Sequence, residues 1–190
     1  MLFRSIDEKK VPVTLEKVVL ADKNCIIHEY NPLAKVPTLI TNDISIFDSP
    51  VIAEYIDQKS GLPYLIPSDF DKKILVKRWE AISDGLCDAA VAIMLEKRKP
   101  LSQQNNDLFE KQMKKIKLSL EWLNLEMEGK EYYLENKFSY ADISAGCALG
   151  YVKLRYPEID FKNEYLNLYH LYELLMQRLS FQTTEPEPYL

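Results

Sequence analysis

The sequence has no pair of cysteines at metal-binding or redox spacing. Its three cysteines, Cys25, Cys87 and Cys147, are odd in number and far apart. That is a poor basis for a disulfide framework and matches the usage of a reducing cytosol. It supplies neither a zinc knuckle nor a dithiol centre. The two histidines, His28 and His170, are too distant in sequence to form a ligand pair, so no metal is expected. No apolar run reaches the roughly 20 residues of a membrane span, and the first residues turn charged by Asp7 without the apolar core of a signal peptide. A cytoplasmic protein without a membrane partner is the expectation. A basic excess is missing as well. Lys and Arg number 24 against 29 Asp and Glu, a net charge of -5, with the cations interspersed among carboxylates. Nucleic-acid readers carry a basic face or stripe, so no nucleic-acid partner is expected. Internal repeats and low-complexity segments are absent too.

What is present is an ordinary globular composition, 47% hydrophobic and 28% charged over 190 residues, enough for one large domain or two small ones. Prolines concentrate in the first third, which reads as short strands and turns. Residues 69–180 are poor in proline and read as long helices. The shift places a linker near 61–68, with domains over 1–62 and 69–190. The coarse architecture is a short α/β domain followed by an all-α domain.

In the first part, Val13 to Val19 is rich in β-branched residues and reads as a strand. Thr38–Thr41 and Ile44–Phe47 flank Asn42-Asp43, a turn pair, and read as an antiparallel hairpin. Ser49 as N-cap with Pro50 behind it signals a helix start, and that helix ends near Gly61. In the second part, Ser68 and Asp71 fit a capping box for a helix over about 69–98. Its stripe is Leu75, Trp79, Ile82, Leu86, Ala90 and Ile93, stopped by Pro100. A second helix spans 103–128, a third runs from a Ser139/Asp142 cap to about Arg155, and Leu168 to Leu179 marks a fourth. The tail from Thr183 reads as extended.

Two segments carry the chemistry: Asn31-Pro-Leu-Ala-Lys-Val-Pro-Thr-Leu-Ile40 and Phe47-Asp-Ser-Pro-Val-Ile-Ala-Glu-Tyr-Ile56. They resemble the bacterial type of the glutathione S-transferase family, whose pattern is N-P-x-G-K-V-P-x-L followed by [ED]-S-x-x-I-x-x-Y-[IL]. Ala34 stands where the family usually has glycine. Phe138-Ser-Tyr-Ala-Asp142-Ile is similar to a further family signature, the [ST]-x-A-D cap of the helical domain. The resemblance covers about residues 3–182. It implies an incomplete thioredoxin-like N-terminal domain followed by a glutathione-transferase helical domain.

The resemblance also implies roles. Glutathione, an extended anionic tripeptide, would be held like an added strand by the backbone at Val36, ahead of a cis bond to Pro37. Ser49, at a helix start, would take the γ-glutamyl carboxylate on its hydroxyl and the neighbouring amides. Asp48 would meet the γ-glutamyl amine and Lys35 the glycyl carboxylate. A small electrophile would lie between the domains against residues 79–98, with Trp79 and Met94 as candidate walls of that pocket. Stripe spacing alone reads these two as core. Ser139 and Asp142 are structural caps, and Tyr55 is core. Cys25 and His28 read as bystanders, and the run Glu96-Lys-Arg-Lys99 as a solvated helix end. Glutathione is the co-substrate and a homodimer the implied assembly.

In the family, a first strand and helix carry the serine, tyrosine or cysteine that stabilises the glutathione thiolate. Here Met1 to Leu15 reads as the end of that first helix running into strand two. Ser5 would sit near the helix's C-terminal end, the wrong place to activate a thiolate, and no catalytic residue can be assigned. The expected consequence is an open edge on strand two and on the Thr38–Thr41 strand. The alternative function is a non-catalytic interaction module of the same fold.

Overall fold

Leu2 and Ile6, four residues apart, share one face of the first helix, α1 (Leu2–Lys9), and turn it onto an apolar cluster of Ile6, Ile46, Ile52 and Ile56. In the computed structural model the described residues are 1–20, 22–61 and 63–185. They form two units, Met1–Ile66 and Pro67–Leu190. Leu62, where the domain boundary was expected, lies outside the described residues, as do Pro186 and Pro188 of the expected extended tail.

α1 closes on Lys10, whose φ of 52° is left-handed. Val11 and Val13 then pack onto the same cluster, while Leu15, Val19 and Leu20 are exposed. The strand expected over Val13–Val19 does not form. Its β-branched residues favour extended backbone, but a strand needs a neighbouring ladder, and none of the described residues supplies one. A short helix, α2 (Ile27–Tyr30), was not foreseen. The expected hairpin is present but short: β1 (Leu39–Ile40) pairs antiparallel with β2 (Ser45–Ile46), with Leu39 opposite Ile46. Thr41 ties the turn, its Oγ1 accepting the amides of Asp43 (3.3 Å) and Ile44 (3.1 Å).

Two polar knots shape the rest of this unit. Asn31 is 1% exposed. Its Oδ1 accepts the Leu33 amide at 2.9 Å, and its Nδ2 donates to the Lys35 carbonyl at 3.0 Å and to Thr38 Oγ1 at 3.2 Å. Within this loop Ala34 has φ 50°, the left-handed region that explains why glycine is the usual occupant. The second knot joins α1 to α3 (Ser49–Ser60). Lys9 Nζ lies 3.0 Å from Asp57 Oδ1, with both side chains under 5% exposed. The ammonium also donates to the carbonyls of Gly61 and Pro63, and the carboxylate accepts the amides of Leu65 (2.8 Å) and Ile66 (2.9 Å). Each charge is therefore paired and hydrogen-bonded, the condition under which a buried ion pair is tolerated.

The second unit is helical: α4 (Phe70–Lys97), a 3-10 turn (Leu101–Gln103), α5 (Asn106–Glu126), α6 (Tyr140–Arg155), α7 (Phe161–Glu164), α8 (Leu166–Leu175) and α9 (Leu179–Gln182). The cap of α4 is Asp69, which accepts the Lys72 amide at 3.0 Å, rather than the Ser68/Asp71 pair. Val76, Trp79, Ser83, Leu86, Ala90 and Ile93 form its buried stripe, and Leu75 is turned out. Glu96 is 4% exposed, not solvated. It accepts the Asn105 amide at 2.9 Å and so links the end of α4 to the cap of α5. The single fourth helix expected over Leu168–Leu179 is interrupted between α8 and α9.

The capping box of α6 is present. Asp142 Oδ2 accepts from the Ser139 amide (2.8 Å) and hydroxyl (2.9 Å), and its Oδ1 accepts the Tyr133 amide at 2.9 Å. Burial raises the carboxyl to about 6, against the hydrogen bonds that pull it down.

Replacing Asp57 by Ala strands the Lys9 charge and two amides. The expected loss of stability is about 3–5 kcal/mol by urea denaturation, with helix content in the folded state retained. Ala34→Gly relieves the left-handed alanine at some entropic cost in the unfolded chain, and a gain of about 0.5–1 kcal/mol is expected in the same measurement.

Candidate functional site

The β1–β2 register positions the candidate residues. The antiparallel pairing of Leu39 with Ile46 brings the loop that carries Val36 and the helix start at Ser49 to the same, open end of the hairpin. Pro37 and Asp48 fall between them and the ladder. The Val36–Pro37 peptide is cis, as the resemblance implies, and Phe47–Asp48 is cis as well, which nothing in the sequence foretold. Val36 is 50% exposed, and its N–H and C=O make no hydrogen bond among the described residues. A donor and an acceptor of one residue, both open, can pair with an extended peptide in the manner of an added strand. Lys35, next to it, is exposed and has no ion pair among the described residues, while its carbonyl is held by Asn31 and Thr38.

The helix start differs from expectation. Asp48, not Ser49, is the N-cap of α3, extended at φ -90° and ψ -175°, and its carboxylate accepts the Ser49 amide. The amides of Val51 and Ile52 both donate to the Asp48 carbonyl at 3.0 Å, and Pro50 has no N–H to offer. The amides expected to meet a carboxylate are therefore engaged. What the helix start offers is the Ser49 hydroxyl, without a hydrogen bond among the described residues, and the positive end of a twelve-residue helix. The four residues Lys35, Val36, Asp48 and Ser49 thus present a cation, a peptide edge, a carboxylate and a hydroxyl at a helix start. That set complements a short zwitterionic peptide with two carboxylates and one amine.

Trp79 does not wall an open pocket. It is 0% exposed, stacked on Tyr133 with ring centroids 3.7 Å apart and tilted against Trp122 at 6.4 Å. Its place in the α4 stripe makes it core. Met94, on the same helix, is half-buried. The nucleophile candidates are unpromising. Ser5 is 1% exposed and its hydroxyl donates to the Met1 carbonyl at 3.3 Å. The Cys87 thiol is pushed up to about 12 by burial, so at neutral pH it is not a thiolate. Cys25 sits in a turn closed by its amide on the Asp22 carbonyl, and His28 is exposed on α2. Sequence reasoning missed Asn31 and the Lys9–Asp57 pair. The Asn-Pro step is a turn signal that could have drawn notice to Asn31, but no local signal marks Asp57.

Comparison with known proteins places the chain in a family. The family model for the glutathione S-transferase N-terminal domain matches residues 3–64, and that for the C-terminal domain matches residues 106–173. The uncharacterised GST-like protein YibF of Escherichia coli K12 is 35% identical over 167 residues, 84% of this chain and 79% of its own length. A probable glutathione S-transferase of Nicotiana tabacum is 29% identical over 147 residues, 75% of this chain, which spans 62% of that relative. Among solved structures, a glutathione S-transferase from Methylobacillus flagellatus KT with glutathione bound superposes with a TM-score of 0.94 at 42% identity, covering 97% of this chain and 92% of its own. One from Methylobacterium radiotolerans in complex with glutathione sulfonate gives 0.92 at 28% identity, covering 99% and 89%. A thioredoxin-like first domain and a helical second domain, in the order and with the motifs seen here, make the chain a member of the glutathione S-transferase family.

Proposed function

We propose that the protein binds glutathione at the open end of the β1–β2 hairpin and presents its thiol to a small electrophile, or uses it in a related thiol-dependent reduction. The observation that carries this reading is the Val36 backbone, unpaired among the described residues, at the same end of the hairpin as the Ser49 helix start. The cysteinyl part of glutathione pairs with Val36, the γ-glutamyl carboxylate takes the Ser49 hydroxyl, and the glycyl carboxylate meets Lys35. The γ-glutamyl amine draws the Asp48 carboxylate off the Ser49 amide. That amide is thereby released to a second bond with the incoming carboxylate, and one acceptor is exchanged for another at the helix start. Glutathione bound in the Methylobacillus relative supports the choice of ligand.

A bacterial, cytoplasmic setting, a homodimeric assembly and metal-free chemistry complete the reading. Bacterial relatives and three cysteines outside any disulfide support the setting. The second reading is a glutathione-transferase-fold module without turnover, favoured by the buried, engaged state of the Ser5 hydroxyl.

Isothermal titration with glutathione tests the site, and conjugation to a chlorodinitrobenzene tests the chemistry. Wild type is expected to bind. Ser49→Ala is expected to weaken binding about tenfold, the loss of one charge-assisted hydrogen bond of about 1.4 kcal/mol, with the melting temperature little changed. Binding with turnover supports the transferase, and binding without turnover the module. A folded wild type that neither binds nor turns over refutes the glutathione site and leaves the interaction module.

A further inference from the structure

α4 and α6 run side by side in the same direction. Tyr140, at the start of α6, lies against α4 near Lys77 and Glu80, with Lys77 Nζ 5.8 Å from its ring centroid and the Glu80 carboxylate acting on its hydroxyl. At the other end, the Tyr156 hydroxyl donates to the Ala90 carbonyl at 2.9 Å, and Lys97 Nζ sits 5.6 Å from the same ring. Two contacts in the same order on both helices show that the helices run parallel, and the first sets Tyr140 beside Glu80. Cys87 is seven residues beyond Glu80, and Cys147 is seven beyond Tyr140. Seven residues are close to two helical turns, so each cysteine stands on the same face as the residue it follows, about 10 Å farther along its own axis. The two thiols are therefore brought level across the α4–α6 seam. Both helices carry buried small residues, Ala89 and Ala90 on α4 and Ala141, Ser144, Ala145 and Ala148 on α6, which allow close approach wherever they face a neighbouring helix. Cys147 is near enough to act electrostatically on Cys87, and neither residue is fully buried.

We infer that Cys87 and Cys147 form a dithiol that closes to an interhelical disulfide under oxidising conditions, fastening α4 to α6. The oxidant is a small disulfide such as glutathione disulfide. The thiolate of one cysteine attacks a sulfur of glutathione disulfide, forming a protein–glutathione mixed disulfide and expelling one glutathione thiolate. Burial holds the Cys87 thiol protonated, so Cys147 makes the first attack; Cys87 then gives up its proton as its sulfur attacks the protein sulfur of that mixed disulfide, forming the Cys87–Cys147 bond and expelling the second glutathione. Two protein thiols are oxidised, one glutathione disulfide is reduced to two glutathiones, and the two thiol protons pass to the expelled thiolates. A disulfide needs Cα atoms within about 7 Å, a spacing that facing positions on two closely packed helices can reach. Cys25, in a turn of the other unit, has no part in it.

The test is oxidation of the folded protein by glutathione disulfide, read by thiol titration and by peptide mapping without reductant. The wild type is expected to fall from three titratable thiols to one, with no adduct mass retained. The linked peptide should join the segments around Cys87 and Cys147, and the melting temperature should rise and return on reduction. Cys25→Ser should behave like wild type and fall from two thiols to none. Cys87→Ser and Cys147→Ser, checked for folding by circular dichroism, should each stop at a mixed disulfide or remain unmodified. Glutathione adducts that persist on Cys87 or Cys147 of the folded wild type, a linkage through Cys25 or between chains, or three unchanged thiols after prolonged oxidation would each overturn the assignment.

Discussion

What the first unit presents to a ligand depends on a ladder only two residues long on each strand. Leu39 opposite Ile46 brings the loop with the Val36 backbone, unpaired among the described residues, and the helix start at Ser49 to the same end of the hairpin. Because side chains alternate along a strand, a slip of one residue would turn Ile46 out of the cluster it shares with Ile6, Ile52 and Ile56. Burial of one isoleucine thus holds the register, and the register positions the site. The short ladder is supported from both ends, by the Thr41 hydrogen bonds at the turn and by the Asn31 knot on the loop that leads into β1.

Charge placement follows the same division between scaffold and site. Lys9 and Asp57 are buried together and hydrogen-bonded to backbone, so they join α1 and α3 to Gly61, Pro63, Leu65 and Ile66. Lys35 and Asp48 are exposed, one of them without an ion pair among the described residues and the other committed only to its own helix cap. In the second unit, Asp142 satisfies the amides of Ser139 and Tyr133 and so fixes where α6 begins. The position of its partners along α4 follows from that start. Asp57 and Asp142 each accept two backbone amides, whereas Asp48 accepts one.

Much of this was legible in the sequence, for identifiable reasons. α3 and the long helices announced themselves through apolar spacing at three and four residues and through Pro and Gly at their ends. The Ser139/Asp142 box is a local signal and was read as such. The hairpin followed from Asn42-Asp43, and the motif from its family pattern, with Ala34 in place of the usual glycine; that Ala34 is left-handed came only from the backbone. What could not be read is non-local or competitive. The Val13–Val19 segment has strand composition, but a strand also requires a neighbour, which composition does not report. Asp48 and Ser49 are both good caps, and only the backbone decides between them. Trp79 carries the same 3.6-residue signal whether it faces core or cleft, and the stack on Tyr133, fifty-four residues away in sequence, settles it. The pairing of Lys9 with Asp57 spans most of the first unit and leaves no local trace.

The central claim is that the Val36 backbone and the Ser49 helix start grip one small peptide acid together. Amide spectra of uniformly 15N-labelled protein, recorded through a titration with glutathione, test it most directly. The account predicts that the Val36 and Ser49 resonances move with one shared saturation curve, while amides in the turn at Asn42-Asp43 stay in place. Saturable shifts confined to residues elsewhere, with Val36 and Ser49 unmoved, would contradict it.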